Sequence, residues 1–295
     1  VATSLAILYC IPTYAEDTTE EKIEQITVTA QKRSQRIIDV PVSVAAMTGE
    51  SIETAGIQQL SELGDYIPNV NINSGDSLES SVQIRGVGAD SRNIGFDTRV
   101  GVYIDGIYMG QSPAINQDLV DLERVEVLRG PQGALFGKNT VAGAVNLISK
   151  KPTDELEGQL KARIGNFNAL QLSGRVNVPL TDNAFLNLSA SNIKRDGYVK
   201  NTTTGEDLNN RNSEAYRAQL LVEASDNLSV LATFDAQSVD QTPAFAEGLS
   251  DPFGVISLKP KANNEVNNNH SPTDVRDVWG ISLDIDYTFN NDFTL

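Results

Sequence analysis

The chain has 295 residues, with 23 Lys and Arg against 39 Asp and Glu, a formal net charge of −16. Contacts to phosphate need clustered cations, so this balance excludes nucleic-acid binding. Hydrophobic residues make up 40% and charged residues 21%, which excludes both a disordered chain and a helical membrane bundle.

One Cys and one His leave no zinc site built from those residues. The single histidine, His270, follows the Asn-rich stretch Asn263 to Asn269 and reads as a solvated loop residue. No paired carboxylates and no nucleophile with a base stand out, so the chain reads as a non-enzyme with no cofactor and no bound metal.

Val1 to Ala15 is uncharged and largely apolar, interrupted by Pro12, and is followed by Glu16 and Asp17. It is too short to span a bilayer as a helix. A short apolar core, a small residue at Ala15 and then charge read as part of a signal peptide covering residues 1–15. Cys10 lies inside it, preceded by Tyr9, a large residue where a lipid-anchored cysteine would need a small one. Val at position 1 and an interrupted apolar alternation at position 295 give the expectation of a piece of a longer protein.

Residues 16–36 are polar and read as a flexible segment around one β-prone island, Ile26, Thr27, Val28, Thr29 and Ala30. Such an island suits addition as a strand to another protein's sheet edge, or equally a terminal edge strand of the domain that follows. Residues 37–152 read as an α+β domain. Val40 to Val44 forms a strand, and Thr48-Gly49-Glu50 starts a helical pattern continued by Leu60, Leu63 and Ile67. Short Gly-separated strands follow at Val82 to Ile84, Val100 to Ile104, Val125 to Leu128 and Ala144 to Ser149.

From residue 153 onward the period becomes two. Leu170, Leu172, Val176 and Val178 alternate with Gln171, Ser173, Arg175 and Asn177. Five further segments behave alike, around Leu160, Leu186, Tyr216, Leu228 and Ile281. Beyond a first short turn at Gly165 to Asn168, their connections alternate between tight turns (Leu180 to Asn183, Ser225 to Asn227, Asn290 to Asp292) and long polar loops (Arg195 to Ser213, Ser238 to Val278). Short turns at one end and long loops at the other are the pattern of an outer-membrane antiparallel β-barrel; a soluble sandwich lacks that asymmetry. Residues such as Leu172, Val176, Leu220 and Val230 should face lipid, and Gln171, Arg175, Gln219 and Ser229 the lumen.

Two apparent phosphate loops fail on inspection. Gly137-Lys138 lacks the Gly five residues earlier (Gln132) and the hydroxyl residue after it (Asn139). Arg85-Gly86-Val87-Gly88 has Ser91 where a third Gly belongs.

The run Asp121-Leu122-Glu123-Arg124-Val125-Glu126-Val127-Leu128-Arg129-Gly130-Pro131-Gln132-Gly133-Ala134-Leu135-Phe136-Gly137, continued by Ala142 to Pro152, resembles the plug-domain signature of TonB-dependent outer-membrane receptors. Ile84-Arg85-Gly86 and Tyr103-Ile104-Asp105-Gly106 resemble two further plug motifs, and Ile26 to Ala30 resembles a TonB box. The resemblance implies an α+β plug domain followed by the first strands of a transmembrane antiparallel β-barrel, of about 22 strands when complete. It implies localisation in the bacterial outer membrane and active uptake of a scarce bulky ligand, a ferric siderophore by default, driven through TonB with ExbB and ExbD.

Uptake of an oligosaccharide or another large nutrient is the alternative. A signal-transducing receptor is a further one, although the polar stretch between Ala15 and Ile26 leaves no room for a folded domain. Arg85 and Arg129 are expected to pair with carboxylates on the inner barrel wall, and Glu123 and Glu126 to pair within the plug. Ligand contacts are expected on two plug loops, through Arg92, Asn93 and Phe96 on one, and Tyr108, Gln111 and Asn116 at the other. The Gly-rich run from Gly130 to Gly143 should make tight turns.

Overall fold

The structure is a computed structural model that describes residues 27–29, 33, 35–74, 80–88, 98–110, 115, 117–243, 264–267 and 269–289. The expected signal peptide and the loop residues Arg92, Asn93, Phe96, Gln111 and Asn116 lie outside the described residues, as do Ile26, Ala30 and the turn at 290–292.

The amino-terminal domain begins with a two-stranded ribbon in which β1 (Thr27–Val28) pairs antiparallel with β2 (Gln35–Arg36). Strand β3 (Ser43–Thr48) starts just after Pro41, and helix α1 (Gly49–Ala55) follows directly. Thr48 caps the helix: its hydroxyl accepts the Ser51 N–H at 3.2 Å, an interaction that stabilises a helix start by about 1 kcal/mol. Gly56, at φ 76°, ends it in the left-handed conformation that glycine adopts without strain.

The helical pattern of Leu60, Leu63 and Ile67 is a 3-10 helix, Leu60–Asp65, that buries the first two side chains. A hairpin of β4 (Val70–Ser74) and β5 (Ser80–Ile84) comes next. It is followed by β6 (Val100–Ile104), β7 (Ile107–Tyr108), β8 (Leu122–Arg129), the one-turn helix α2 (Gly133–Phe136) and β9 (Gly143–Ser149). The central sheet has the order β3-β8-β9-β6-β7.

Both faces of this sheet are covered, so its strands are apolar almost throughout. Val102, Ile104, Val125, Val127, Val145 and Leu147 point into the main core with Ile52, Leu60 and Leu63. The alternate residues Tyr103, Leu128 and Ala144 form a second, smaller core with Val28. Glu126 and Asn146, paired across β8 and β9, share this second face by the period of two.

The chain then forms a six-stranded antiparallel wall of β10 (Glu157–Gly165), β11 (Ala169–Thr181), β12 (Ala184–Arg195), β15 (Arg211–Ser225), β16 (Leu228–Gln241) and β18 (Asp274–Tyr287). The loop strands β13 (Val199–Asn201), β14 (Asp207–Leu208) and β17 (Glu265–Val266) form a separate three-stranded sheet that ties the two long connections together. Strands run further into the long connections than the alternation alone indicates, to Arg195 and from Arg211, and to Gln241 and from Asp274.

The faces follow the alternation. Leu172, Leu220, Trp279, Ile281 and Leu283 are exposed on the outer face, and Asn177, Asn187, Ser213, Gln219 and Thr233 are buried on the inner one. A broad apolar face exposed on a sheet whose other face is polar and covered is what lipid contact requires. Among the described residues, no helix is long and apolar enough to cross a membrane.

Candidate functional site

The first functional feature is the seat of the amino-terminal strand. Val28 is fully buried and packs on Tyr103, Leu128 and Ala144. The Thr29 backbone N–H donates to Glu126 Oε1 at 2.7 Å, and its hydroxyl donates to the same oxygen at 3.2 Å. Glu126 is itself fully buried. Its charge is answered by Arg124, whose Nε lies 2.7 Å from the same Oε1, while Arg124 also pairs with Glu123. The second oxygen of Glu126 is buried with no hydrogen-bond partner among the described residues.

A glutamate in the middle of an apolar strand thus holds the segment 97 positions earlier by one of its backbone N–H groups. Glu123 and Glu126, expected to pair within this domain, both do so with Arg124. Burial, with Tyr108 beside it, raises the Tyr103 pKa; its hydroxyl donates to the Phe136 carbonyl at 2.5 Å.

The second feature is the contact between the domain and the inner face of the wall. Arg175 on β11 lies 3.4 Å from Asp121 and 2.6 Å from Glu157. On β15, Arg211 donates to Asp118 at 2.6 Å and to the Gln58 side chain at 3.0 Å, and Ser213 donates to the other oxygen of Asp118. Arg217, on the same strand, lies 3.7 Å from Asp105, donates to Ser149, and pairs with Asp235 of β16.

Neutral contacts complete the set: Gln58 to Gln171 at 2.7 Å and Asn187 to Asp121 at 2.8 Å. Asp118 is almost fully buried, so its pairing with Arg211 takes place away from water, where an unpaired charge is costly. Lys161 of β10 reaches Glu53 of α1. Wall cations therefore meet acids of the enclosed domain, and each wall residue involved sits at a lumen-facing position of its strand.

Arg85, at φ 54°, is exposed and donates to the Ser43 hydroxyl at 3.3 Å. The Nε of Arg129 is buried without a partner among the described residues. Neither arginine pairs with a carboxylate there. Tyr108 is half-buried, its ring tilted against that of Tyr103 with centroids 5.5 Å apart, and its hydroxyl accepts from Asn139 at 2.9 Å. It lines a cavity of ≈ 340 Å³ between the β6–β7 hairpin and the wall, together with Met109, Asp118, Arg217, Asp235 and Gln237. Among the described residues, no three metal-ligating side chains gather into a site.

Residues 36–144 match the family model described as TonB-dependent Receptor Plug Domain. The chain is 30% identical over 202 residues to the pesticin receptor of Yersinia pestis, covering 67% of this chain and 29% of that protein. The chain belongs to the TonB-dependent receptors.

In that family's terms, the amino-terminal domain is the plug and the six-stranded wall is part of the barrel. The ferrioxamine B receptor of Salmonella typhimurium is 29% identical over 182 residues, 58% of this chain and 25% of that protein. The chain thus spans less than a third of the length of these curated relatives.

Solved structures share the fold. The ferric yersiniabactin uptake receptor of Yersinia pestis superposes with a TM-score of 0.71 at 23% identity, over 84% of this chain and 39% of that one. The ferripyoverdine receptor of the Pseudomonas aeruginosa outer membrane does so with a TM-score of 0.74 at 18% identity, over 91% and 35%.

Proposed function

We propose that the protein takes up a ferric siderophore across the bacterial outer membrane, with energy delivered by TonB, together with ExbB and ExbD, to the segment Ile26 to Ala30. The observation that carries this reading is the seating of Val28 and Thr29 on the plug's signature strand through Glu126. A pull on that segment bears directly on the plug. The outer membrane has no ATP, so work must arrive by mechanical contact, and a short strand on a tether suits such contact. The relatives' names favour iron chelates over oligosaccharides: two are receptors for ferrioxamine B and ferric yersiniabactin.

Residues 37–152 act as the plug and residues from 153 onward as barrel. Arg92, Asn93, Phe96, Tyr108, Gln111 and Asn116 are the proposed ligand contacts on the plug, and Arg85 and Arg129 proposed plug–barrel contacts. The test is Val28→Pro in the full-length receptor, because proline removes a backbone N–H that strand pairing needs. Uptake and cross-linking to TonB should both be lost; unchanged uptake overturns the reading.

A further inference from the structure

We propose that the outer mouth of the wall carries an oxyanion-binding site centred on Arg195. Arg195 ends β12 and Arg211 begins β15, and the two are register partners. Both therefore lie on the lumen-facing side, at the end of the wall that carries the long connections, which in an outer-membrane barrel is the outer end. Like charges directly opposite one another destabilise a sheet unless each is answered.

Arg211 is answered by Asp118 and Gln58. No described acid answers Arg195. Its Nη2 donates to the Asn209 carbonyl at 2.9 Å, its guanidinium lies 5.0 Å from the centre of the Tyr198 ring, and its Nε is buried with no hydrogen-bond partner among the described residues. Among the described residues, no carboxylate pairs with it. The acid next to it in sequence, Asp196, instead accepts from Asn168 at 2.6 Å.

The chain has 39 acids to 23 cations, and the arginine directly opposite found one. The site is also held in place. The Tyr198 ring packs at a tilt against Phe167, centroids 5.5 Å apart, and its hydroxyl takes a hydrogen bond from Asn209. Phe167 stands at φ 59° in the β10–β11 turn, a left-handed backbone that a bulky side chain rarely adopts, and Asp196 N–H donates to its carbonyl at 2.9 Å.

A guanidinium fixed by a ring face and one carbonyl, with donors to spare, fits a carboxylate or phenolate oxygen brought by a ligand. The inference deepens the uptake reading and rests on it for the side from which the ligand arrives; the binding itself needs no TonB.

The test uses the purified full-length receptor and two ferric complexes of similar size. One is the anionic tris(2,3-dihydroxybenzoate) complex and the other the neutral tris(benzohydroxamate) complex. Wild type should bind the anionic complex at least ten-fold more tightly. Arg195→Gln should erase that preference without changing the neutral complex's affinity, and Arg195→Lys should keep part of it. Barrel folding is confirmed separately by heat-modifiable mobility. No preference in wild type, or a preference intact in Arg195→Gln, overturns the proposal. The Val28→Pro receptor should bind the anionic complex like wild type, so failure of the uptake reading leaves this measurement decisive.

Discussion

The backbone N–H of Thr29 and Oε1 of Glu126 meet at 2.7 Å, joining the amino-terminal strand to a carboxylate buried in the plug's central sheet. On the proposed reading, a partner strand that took up this N–H would compete with the plug for it. A hydrogen bond to a charged acceptor contributes about 1.5–3 kcal/mol, roughly ten-fold or more in the docking equilibrium. Glu126→Ala in the full-length receptor should therefore raise ligand-free cross-linking of the segment to TonB several-fold. Unchanged cross-linking would leave the burial of Val28 as the main hold. Arg124→Ala should be worse for the fold, because it strands a buried carboxylate.

The pairing of Asp118 with Arg211 is the most deeply buried of the plug–wall ion pairs. Removing either partner leaves the other charge enclosed, at a cost of about 3–5 kcal/mol. Asp118→Ala and Arg211→Ala should each expose the plug to protease in the full-length receptor. The double variant should be less harmful than the sum of the two, with a coupling of about 0.5–3 kcal/mol. Strict additivity would show that the two groups do not depend on each other in solution.

The wall was legible because its residues repeat with period two, and that period decides which side chains meet lipid. Leu220 is exposed while Gln219 beside it is buried. The signature strand was legible for a different reason: its Gly and charged residues recur in a family with a known fold. The charge pattern of the plug–wall contact was not legible. The expectation put plug arginines, Arg85 and Arg129, against wall acids beyond residue 295, and the described contacts leave it untested. The contacts that are described run from wall to plug, from Arg175, Arg211 and Arg217 to Asp121, Asp118 and Asp105.

Lumen-facing parity marks those three arginines as inward, yet one sequence holds no information on which acid each will find 54, 93 or 112 residues away. Glu126 was missed as the strand's seat for the same reason. The short strand β7 and the one-turn helix α2 are too brief to leave a periodic signal.

Gly143 tests the packing of the signature region. It has φ 153°, and a Cβ added there would come within 2.1 Å of the Leu128 carbonyl oxygen, a backbone atom of the paired strand. Neither strand can yield without breaking the β8–β9 register, which holds both cores together. Gly143→Ala should abolish plug protection from protease while the barrel still shows heat-modifiable mobility. Full protection would mean that the sheet relaxes around the added methyl.

The membrane face can be tested by a single charge on either side of β15. Leu220 points outward near the middle of the strand, and its neighbour Gln219 points into the lumen. A lipid-facing Arg at mid-depth costs about 2–4 kcal/mol, because the bilayer core offers no water and no counter-charge. Leu220→Arg should therefore lower the urea midpoint of the folded receptor markedly. Leu220→Asn, which adds polarity without charge, should lower it less. The inner face provides the contrast. Cysteines at 172, 176, 220 and 230 should react with a membrane-partitioning maleimide in native vesicles, and cysteines at 171, 175, 219 and 229 should not. Position 219 should also stay closed to water-soluble reagents, since the Gln219 side chain is fully covered inside the barrel wall. Equal labelling of both sets would mean that the sheet has water on both faces, as in a soluble sandwich, and would remove the physical basis for placing this wall in lipid.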